Sequence, residues 1–250
     1  MSKSRVSLTI ENDLLKRIDK ETEKRSKNRS QLIEDIIKQY FNRKGLNTAV
    51  VLCGDKENKT LDLYEGKPVL SHILEQLRKE GIKRAILLVG KNKQDIEPHF
   101  GSDHKDMVIE YIEEKKLSGS GNALKKAENK IDETFLALNG HVISDVDLQD
   151  MLETHRSQNS IASLALTTVE NPSNYGVAKL KGNKIKGFEE KPSPGQEPSR
   201  LINAGTYILE PSIFDILNGY SELNELFKEL TSKDQLTGYI YGGEWKDIRD

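Results

Sequence analysis

Hydrophobic and polar positions near the start of the chain follow two different periods. In residues 5–10 every second side chain from Val6 onward is apolar, and this alternation predicts a strand. Apolar residues then recur at helical spacing over 12–25 and 30–41, with Ser30 predicted as the cap of the second helix. One strand and two half-apolar helices bury too little surface to be stable alone, so we expect this segment to pair with a second copy.

The pattern changes near residue 48 to buried strands that alternate with helices. Continuous apolar runs predict strands over 49–52, 85–90, 108–112, 135–138 and 161–169. Helical patterns lie over 69–77, 122–129 and 148–155. This order predicts an α/β fold with a mostly parallel central sheet, whose ligands bind at the carboxyl ends of the strands. We therefore expect two domains, 1–44 and 48–250.

Charge is distributed unevenly between these two parts. Residues 1–44 contain twelve Lys or Arg and seven Asp or Glu, whereas the rest of the chain has 26 basic and 33 acidic residues. A basic segment suits the phosphate backbone of double-stranded DNA, and an acidic body would be repelled by it. The alternative is an amphipathic dimerisation segment that does not bind DNA.

The expected compartment follows from hydropathy and cysteine usage. The sequence shows no apolar run long enough to span a membrane and no basic-then-apolar leader. Its lone Cys53 lies in an apolar run, where it is expected to be a core residue. These features predict a cytoplasmic protein without a membrane partner.

The strand followed by two helices resembles the ribbon-helix-helix repressors of the Arc and MetJ kind. The resemblance implies a homodimer or higher homo-oligomer whose paired strands form a ribbon in the major groove of DNA. It assigns base reading to Arg5, Ser7 and Thr9. The backbone of Arg29 and Ser30 would then bind a phosphate at the start of the second helix.

Five motifs occur in order along the second domain. They are GSGNA at 119–123, YGV at 175–177, EKP at 190–192, NAGTY at 203–207 and WKDI at 245–248. Together they resemble the sugar-1-phosphate nucleotidyltransferases, which join a nucleoside triphosphate to a sugar phosphate and release pyrophosphate. The resemblance implies a Rossmann-like nucleotidyltransferase domain that binds a nucleotide or sugar nucleotide. The ligand-binding residues that it implies are Gly54, Gly119, Ser120, Gly121, Asn139, Tyr175, Gly176, Glu190, Lys191, Asn203 and Gly205.

Two departures from this family concern catalysis. The triphosphate loop after the first strand lacks the family's G-T-R part, and Lys59 remains as the catalytic candidate if the domain is active. The family's Asn-Gly-Asp turn ends here in His141, so His141 and Asp247 are the possible metal ligands. Mg²⁺ prefers oxygen ligands and two residues make no complete site. A divalent metal is therefore expected only if the domain is active, and no other cofactor is indicated.

These departures favour one function over two others. The main expectation is a DNA-binding transcriptional regulator whose catalytically degenerate domain senses a sugar nucleotide or sugar phosphate. The alternative is an active sugar-1-phosphate nucleotidyltransferase with a DNA-binding or autoregulatory N-terminal segment. A third possibility is an oligomerisation scaffold with an empty pocket.

Overall fold

A computed structural model describes residues 6–25, 27–41, 45–54 and 59–249 of the chain. The chain divides into two compact units, an N-terminal unit of residues 1–44 and a C-terminal unit of residues 45–250. Of the helices that this structure describes, none combines the length and the apolar character needed to cross a bilayer.

The N-terminal unit contains two helices, α1 (Asn12–Arg25) and α2 (Arg29–Phe41). The cap of α2 is Asn28, whose Oδ1 accepts a hydrogen bond from the backbone N–H of Gln31 at 2.9 Å. Oε1 of Gln31 in turn accepts from the backbone N–H of Asn28 at 3.0 Å. The prediction that Ser30 caps α2 was therefore wrong by two residues, because this reciprocal pair satisfies the first turn of the helix.

Apolar side chains remain exposed in the N-terminal unit of a single chain. Those of Val6, Leu8, Leu14, Ile36 and Ile37 are between 44% and 75% exposed. Residues 6–10 form no strand within the described chain, because the backbone of a lone strand has no neighbour with which to pair. An intermolecular ribbon remains a prediction.

The residues expected to contact DNA lie in this unit. Ser7, Thr9 and Ser30 are exposed, and Arg5 lies outside the described residues. The guanidinium of Arg29 forms two hydrogen bonds to the carboxylate of Asp19, at 2.5 and 2.8 Å. The side chain of Arg29 therefore fastens the start of α2 to α1, and the predicted phosphate contact of its backbone stays a prediction.

The C-terminal unit alternates strands and helices. Its strands are β1 (Thr48–Leu52), β2 (Leu63–Tyr64), β3 (Lys67–Pro68), β4 (Arg84–Val89), β5 (Asp103–His104), β6 (Met107–Glu113), β7 (Phe135–Asn139), β8 (Val142–Ser144), β9 (Ala162–Thr168), β10 (Gly176–Lys181), β11 (Lys184–Glu190), β12 (Leu201–Leu209), β13 (Leu236–Ile240) and β14 (Trp245–Asp247). Its helices are α3 (Val69–Lys79), α4 (Lys93–Phe100), α5 (Ser120–Lys125), α6 (Leu148–Gln158), α7 (Ile213–Ile216) and α8 (Leu223–Ser232).

Ten strands of the described region form one sheet in the order β10-β11-β13-β9-β12-β7-β1-β4-β6-β5. Strands β7, β1, β4 and β6 are parallel neighbours, which confirms the predicted α/β fold. Strand β12 is antiparallel to β7 and β9, between which it lies, and also pairs antiparallel with β10. The sequence pattern did not predict this strand, which joins the parallel half of the sheet to a mixed half.

Helices cover both faces of the sheet. In β1, Ala49 and Val51 face the core that includes α3, α4 and α6, whereas Val50 faces the core that includes α5, α7 and α8. Burial on both faces explains why β1 is continuously apolar and does not alternate. Cys53 is fully buried directly after this strand, as predicted.

The buried imidazole of His155 links α6 to the sheet. Nε2 of His155 lies 2.9 Å from Oε1 of Glu210, and Nδ1 lies 2.8 Å from Oγ of Ser163. The hydrogen bond with His155 lowers the pKa of Glu210 below 4.5, burial opposes this shift, and a further hydrogen bond from Thr134 adds to it. A carboxyl whose pKa is lower in the folded protein stabilises it above the unfolded pKa, and this contribution is lost as the pH falls through the folded pKa.

We expect Glu210→Gln to lower the free energy of unfolding at pH 7 by about 0.5 to 1.5 kcal/mol, a modest effect because Glu210 is partly exposed. The difference from the unsubstituted protein should shrink as the pH falls below 4.5, the ordinary pKa of a glutamate. Urea denaturation between pH 3 and pH 7 measures this difference in unfolding free energy, with substitution of the exposed Glu189, Glu189→Gln, as a control. A difference that stays constant over this range would contradict the prediction.

Candidate active site

Two adjoining cavities lie at the carboxyl ends of the parallel strands. The smaller has a volume of about 210 Å³ and the larger about 670 Å³. The larger is lined by Leu52 at the end of β1 and by Leu88 near the end of β4. Residues that line both cavities are Ser120, Asn139, His141, Glu222 and Arg249. The cavities therefore lie at the edge of the sheet where the sequence predicts a ligand site, and ligand binding there stays a prediction.

Most of the predicted ligand-binding residues meet in these cavities. The smaller cavity is lined by Ser120, Asn139, Tyr175, Gly176, Glu190, Lys191, Asn203 and Gly205. Gly54, Gly119, Ser120 and Asn139 line the larger cavity. Gly121 is buried and belongs to neither lining. Motifs that are far apart in sequence thus line two adjoining cavities, and their contacts with a ligand remain predictions.

The first turn of α5 is held by the segment that begins α8. The backbone N–H and the hydroxyl of Ser120 both donate to Oε2 of Glu222, at 3.0 and 2.6 Å. The carbonyl oxygen of Ser221 accepts from the backbone N–H groups of Gly121 and Asn122. Glu222 was not a predicted site residue. Its sequence signal is the capping box that it forms with Glu225 at the start of α8.

An irregular step in β12 presents polar groups to the smaller cavity. The pairing of β12 with β9 shifts register between Asn203 and Tyr207. The side chain of Asn203 accepts from the backbone N–H of Gly205 at 3.0 Å and donates to the Tyr207 hydroxyl at 3.0 Å. Burial raises the pKa of Tyr207 to about 12, although the hydrogen bond from Asn203 opposes the shift. Tyr207 therefore stays neutral and can act as a hydrogen-bond donor.

Gly205 allows the backbone of β12 to approach the end of β7. Its φ of +75° lies in the left-handed region, and a Cβ here would lie 2.7 Å from Nδ2 of Asn139. The side chain of Asn139 can line both cavities because this position has no side chain of its own.

Glu190 and Lys191 bring opposite charges to the smaller cavity. Loss of hydration raises the pKa of Glu190 above 4.5, Lys191 and Arg249 oppose this shift, and Glu222 adds to it. Oε2 of Glu190 also accepts a hydrogen bond from Nδ2 of Asn224 at 2.7 Å. The carboxylate is thus oriented by a neighbouring amide.

Trp245 supports the floor of the smaller cavity. Its indole N–H donates to the carbonyl oxygen of Ala204 at 3.1 Å, and its ring contacts Tyr175 edge to face with centroids 5.4 Å apart. The tryptophan of the WKDI motif therefore links β12 to the loop before β10.

The possible metal ligands do not form a site for Mg²⁺. Nε2 of His141 lies 4.0 Å from Oδ2 of Asp247, and Asp247 receives three hydrogen bonds from the backbone and guanidinium of Arg249. Burial raises the pKa of Asp247, but the bonds from Arg249 and the proximity of His141 outweigh it, so the pKa lies below 3.8. Within the described residues, no group of three His, Cys, Asp or Glu side chains is placed to hold a metal ion. One carboxylate and one imidazole do not fit the oxygen preference of Mg²⁺.

The catalytic candidate Lys59 lies outside both linings as far as the described residues show. Its ammonium group is 3.2 Å from the carboxylate of Asp62, three residues along the chain. The shortened loop at 55–58 lies outside the described residues. A catalytic role for Lys59 therefore stays a prediction.

Comparison with known proteins identifies both units. Residues 50–248 match the nucleotidyl transferase family, and residues 4–44 match the ribbon-helix-helix proteins of the copG family. The Bifunctional protein GlmU of Methanococcus maripaludis is 34% identical over 218 residues, which cover 80% of this chain and 51% of that protein. The mannose-1-phosphate guanyltransferase of Yarrowia lipolytica is 34% identical over 76% of this chain and 54% of its own length. This chain thus spans about half the length of the curated relatives that it matches.

A solved structure gives the same fold. The complex of a UDP-glucose pyrophosphorylase with UDP-glucose matches with a TM-score of 0.73 and 20% identity, over 82% of this chain and 94% of that one. The curated relatives contradict the expectation of a degenerate sensor in a transcriptional regulator, because one of them is named a mannose-1-phosphate guanyltransferase, which agrees better with the active alternative. The absence of the G-T-R part and the presence of His141 are therefore not evidence that catalysis has been lost. With a family match over 50–248, this chain belongs to the nucleotidyl transferase family.

Proposed function

We propose that the C-terminal unit is an active sugar-1-phosphate nucleotidyltransferase. The observation that carries this proposal is the pair of adjoining cavities, which five motif-bearing segments line. A nucleotide and a sugar phosphate must lie end to end for transfer, and two cavities that share lining residues suit such a pair. The names of the relatives supply the reaction class.

The larger cavity would receive the nucleotide beside Gly54 and Gly119, and the smaller would receive the sugar phosphate. An oxygen of the sugar 1-phosphate attacks the α-phosphorus of the nucleoside triphosphate, and the bond to the β-phosphate breaks to release pyrophosphate. Lys191 would balance the charge of the sugar phosphate, and Asn203 would orient the sugar. Holding both reactants in line accounts for much of the acceleration in such reactions.

A pyrophosphate-release assay tests this function with the full chain. The panel combines UTP, GTP, dTTP, ATP and CTP with glucose, mannose and N-acetylhexosamine 1-phosphates, each in the presence of Mg²⁺ or Mn²⁺. One pair should give turnover on the order of 1 to 10³ s⁻¹, the ordinary range of enzymes. Omission of either substrate is the control. Absence of turnover with every pair would reject the proposal.

We also propose that the N-terminal unit dimerises and binds double-stranded DNA. Its match to ribbon-helix-helix proteins, its exposed apolar side chains and its excess of basic residues support this assignment. A second copy would cover Val6 and Leu8 and leave Ser7 and Thr9 on the opposite face of the ribbon.

Two substitutions separate base contact from dimer formation. Arg5→Ala should weaken binding to a specific DNA site by about 1 to 3 kcal/mol without changing the dimer, because one base contact is lost. Leu8→Ala should weaken the dimer itself and thereby reduce binding to every DNA sequence. Mobility shifts on a genomic fragment library and analytical ultracentrifugation measure the two effects. A protein without residues 1–44 that binds DNA as well as the full chain would contradict the assignment.

A further inference from the structure

Arg249 occupies the junction of the two cavities. Of the described residues that line both, it is the one with a permanent positive charge, since Lys191 lines only the smaller and Lys116 only the larger. Its side chain is 45% exposed although it is bound to Asp247, whose side chain is only 2% exposed. The guanidinium is therefore fastened to Asp247, while nearly half of the side chain stays accessible where it lines both cavities.

The bonds to Asp247 fix the orientation of this guanidinium. Nε of Arg249 donates to Oδ1 at 3.0 Å, and one terminal nitrogen donates to Oδ2 at 2.6 Å. The backbone N–H of Arg249 donates to Oδ1 at 2.9 Å as well. A planar guanidinium held in this manner loses little further freedom when it binds an anion.

The junction needs a positive charge. Glu222 lines both cavities and Glu190 lines the smaller, and both carboxylates would repel a diphosphate. The carboxylate of Asp247, which the family resemblance assigns to a metal, is already engaged by Arg249, and His141 stands where a second carboxylate was expected.

We propose that Arg249, anchored by Asp247, binds the diphosphate of the sugar nucleotide at the junction of the two cavities. The guanidinium thereby supplies positive charge at the position that the family resemblance assigns to a metal ion. This inference rests on the proposed function, because that function places the phosphates between the two cavities. Arg suits this role, since its N–H groups match pairs of phosphate oxygens.

The test is calorimetric titration of the full chain with inorganic pyrophosphate in buffer that contains EDTA. The unsubstituted protein should bind pyrophosphate, and Arg249→Ala should weaken binding by about 10- to 100-fold, the usual effect of a lost charge-assisted bond. The affinity of Arg249→Lys for pyrophosphate should lie between those of the unsubstituted protein and of Arg249→Ala. The exposed Arg200, which lines neither cavity, provides the control Arg200→Ala.

Removal of Arg249 leaves Asp247 buried without this partner, which could unfold the protein. The double variant Asp247→Asn with Arg249→Ala removes both charges and should show the same loss of binding. Thermal melting of each variant checks that it is folded at the temperature of the titration.

The outcomes separate this inference from the proposed function. Pyrophosphate binding in EDTA that depends on Arg249 supports the inference, even if no substrate pair in the panel turns over. If a substrate pair in the panel turns over but the protein binds no pyrophosphate in EDTA, the inference is wrong and the proposed function stands. The same holds if a pair turns over and Arg249→Ala binds pyrophosphate as tightly as the unsubstituted protein.

Discussion

Gly119→Ala is expected to lower the free energy of unfolding by about 3 to 5 kcal/mol, the combined cost of backbone strain and overpacking. Gly119 has a φ of +103°, and an added Cβ would overlap the carbonyl oxygen of Ser221. The same Cβ would lie 2.7 Å from Oε1 of Glu222. The overlap with Ser221 involves a backbone atom that also holds the first turn of α5, so movement of a flexible side chain cannot relieve it. Chemical denaturation of the full chain measures the loss.

Gly219→Ala is the matched control for this substitution. Gly219 has nearly the same φ, +104°, but no atom lies within 4 Å of the position that a Cβ would occupy. Gly219→Ala should therefore lower the free energy of unfolding only by the strain of the left-handed backbone, about 1 to 2 kcal/mol. If the two variants prove equally stable, the tight contact between α5 and the Ser221–Glu222 segment is not part of the folded protein.

Lys191→Met is expected to lower kcat/KM for the sugar 1-phosphate by about 10²- to 10³-fold in the pyrophosphate-release assay. Lys191 lines the smaller cavity, where a cation can balance the charge of the attacking phosphate. Removing one donor from a site of developing charge costs about 3 to 4 kcal/mol. Methionine keeps the length of the side chain and removes the charge.

Lys105→Met is the matched control for this second substitution. Lys105 has a φ of +51°, close to the +47° of Lys191, so both variants place methionine in the left-handed region. Lys105 pairs with Glu75 and lies outside both cavity linings. A similar loss of activity in both variants would mean that replacing lysine by methionine at such a position lowers activity in general, and that the charge of Lys191 does not cause the effect.

Hydrophobic pattern was sufficient to predict the parallel half of the sheet. Strands β1, β4 and β7 are buried runs whose composition differs sharply from the loops around them, and the apolar residues of the partly exposed β6 were sufficient to predict it as well. Strand β12 was missed as a strand because its sequence reads as a binding motif, with Asn203 and Gly205 interrupting the apolar run. Its antiparallel position between β7 and β9 depends on pairing between distant segments, which local periodicity does not contain.

The candidate site was predictable where a motif carried it and not where a contact between segments created it. Glu222 enters the site because it caps the first turn of α5, about a hundred residues earlier in the chain. Arg249 enters because its side chain turns back to Asp247. The smaller error at Ser30 has a local origin, since Asn28 and Gln31 form a reciprocal cap two residues earlier.

The position of β12 also bears on how the chain folds during synthesis. Strand β9 pairs only with β12 and β13 in the described sheet, so neither of its neighbours has been made when β9 leaves the ribosome. Six of its seven residues are buried in the finished protein and four of these are apolar, but until β12 and β13 are made this segment has no strand with which to pair. Nascent chains that stop between β9 and β12 should therefore aggregate or recruit a chaperone, and completion of the C-terminal unit should be slow and late.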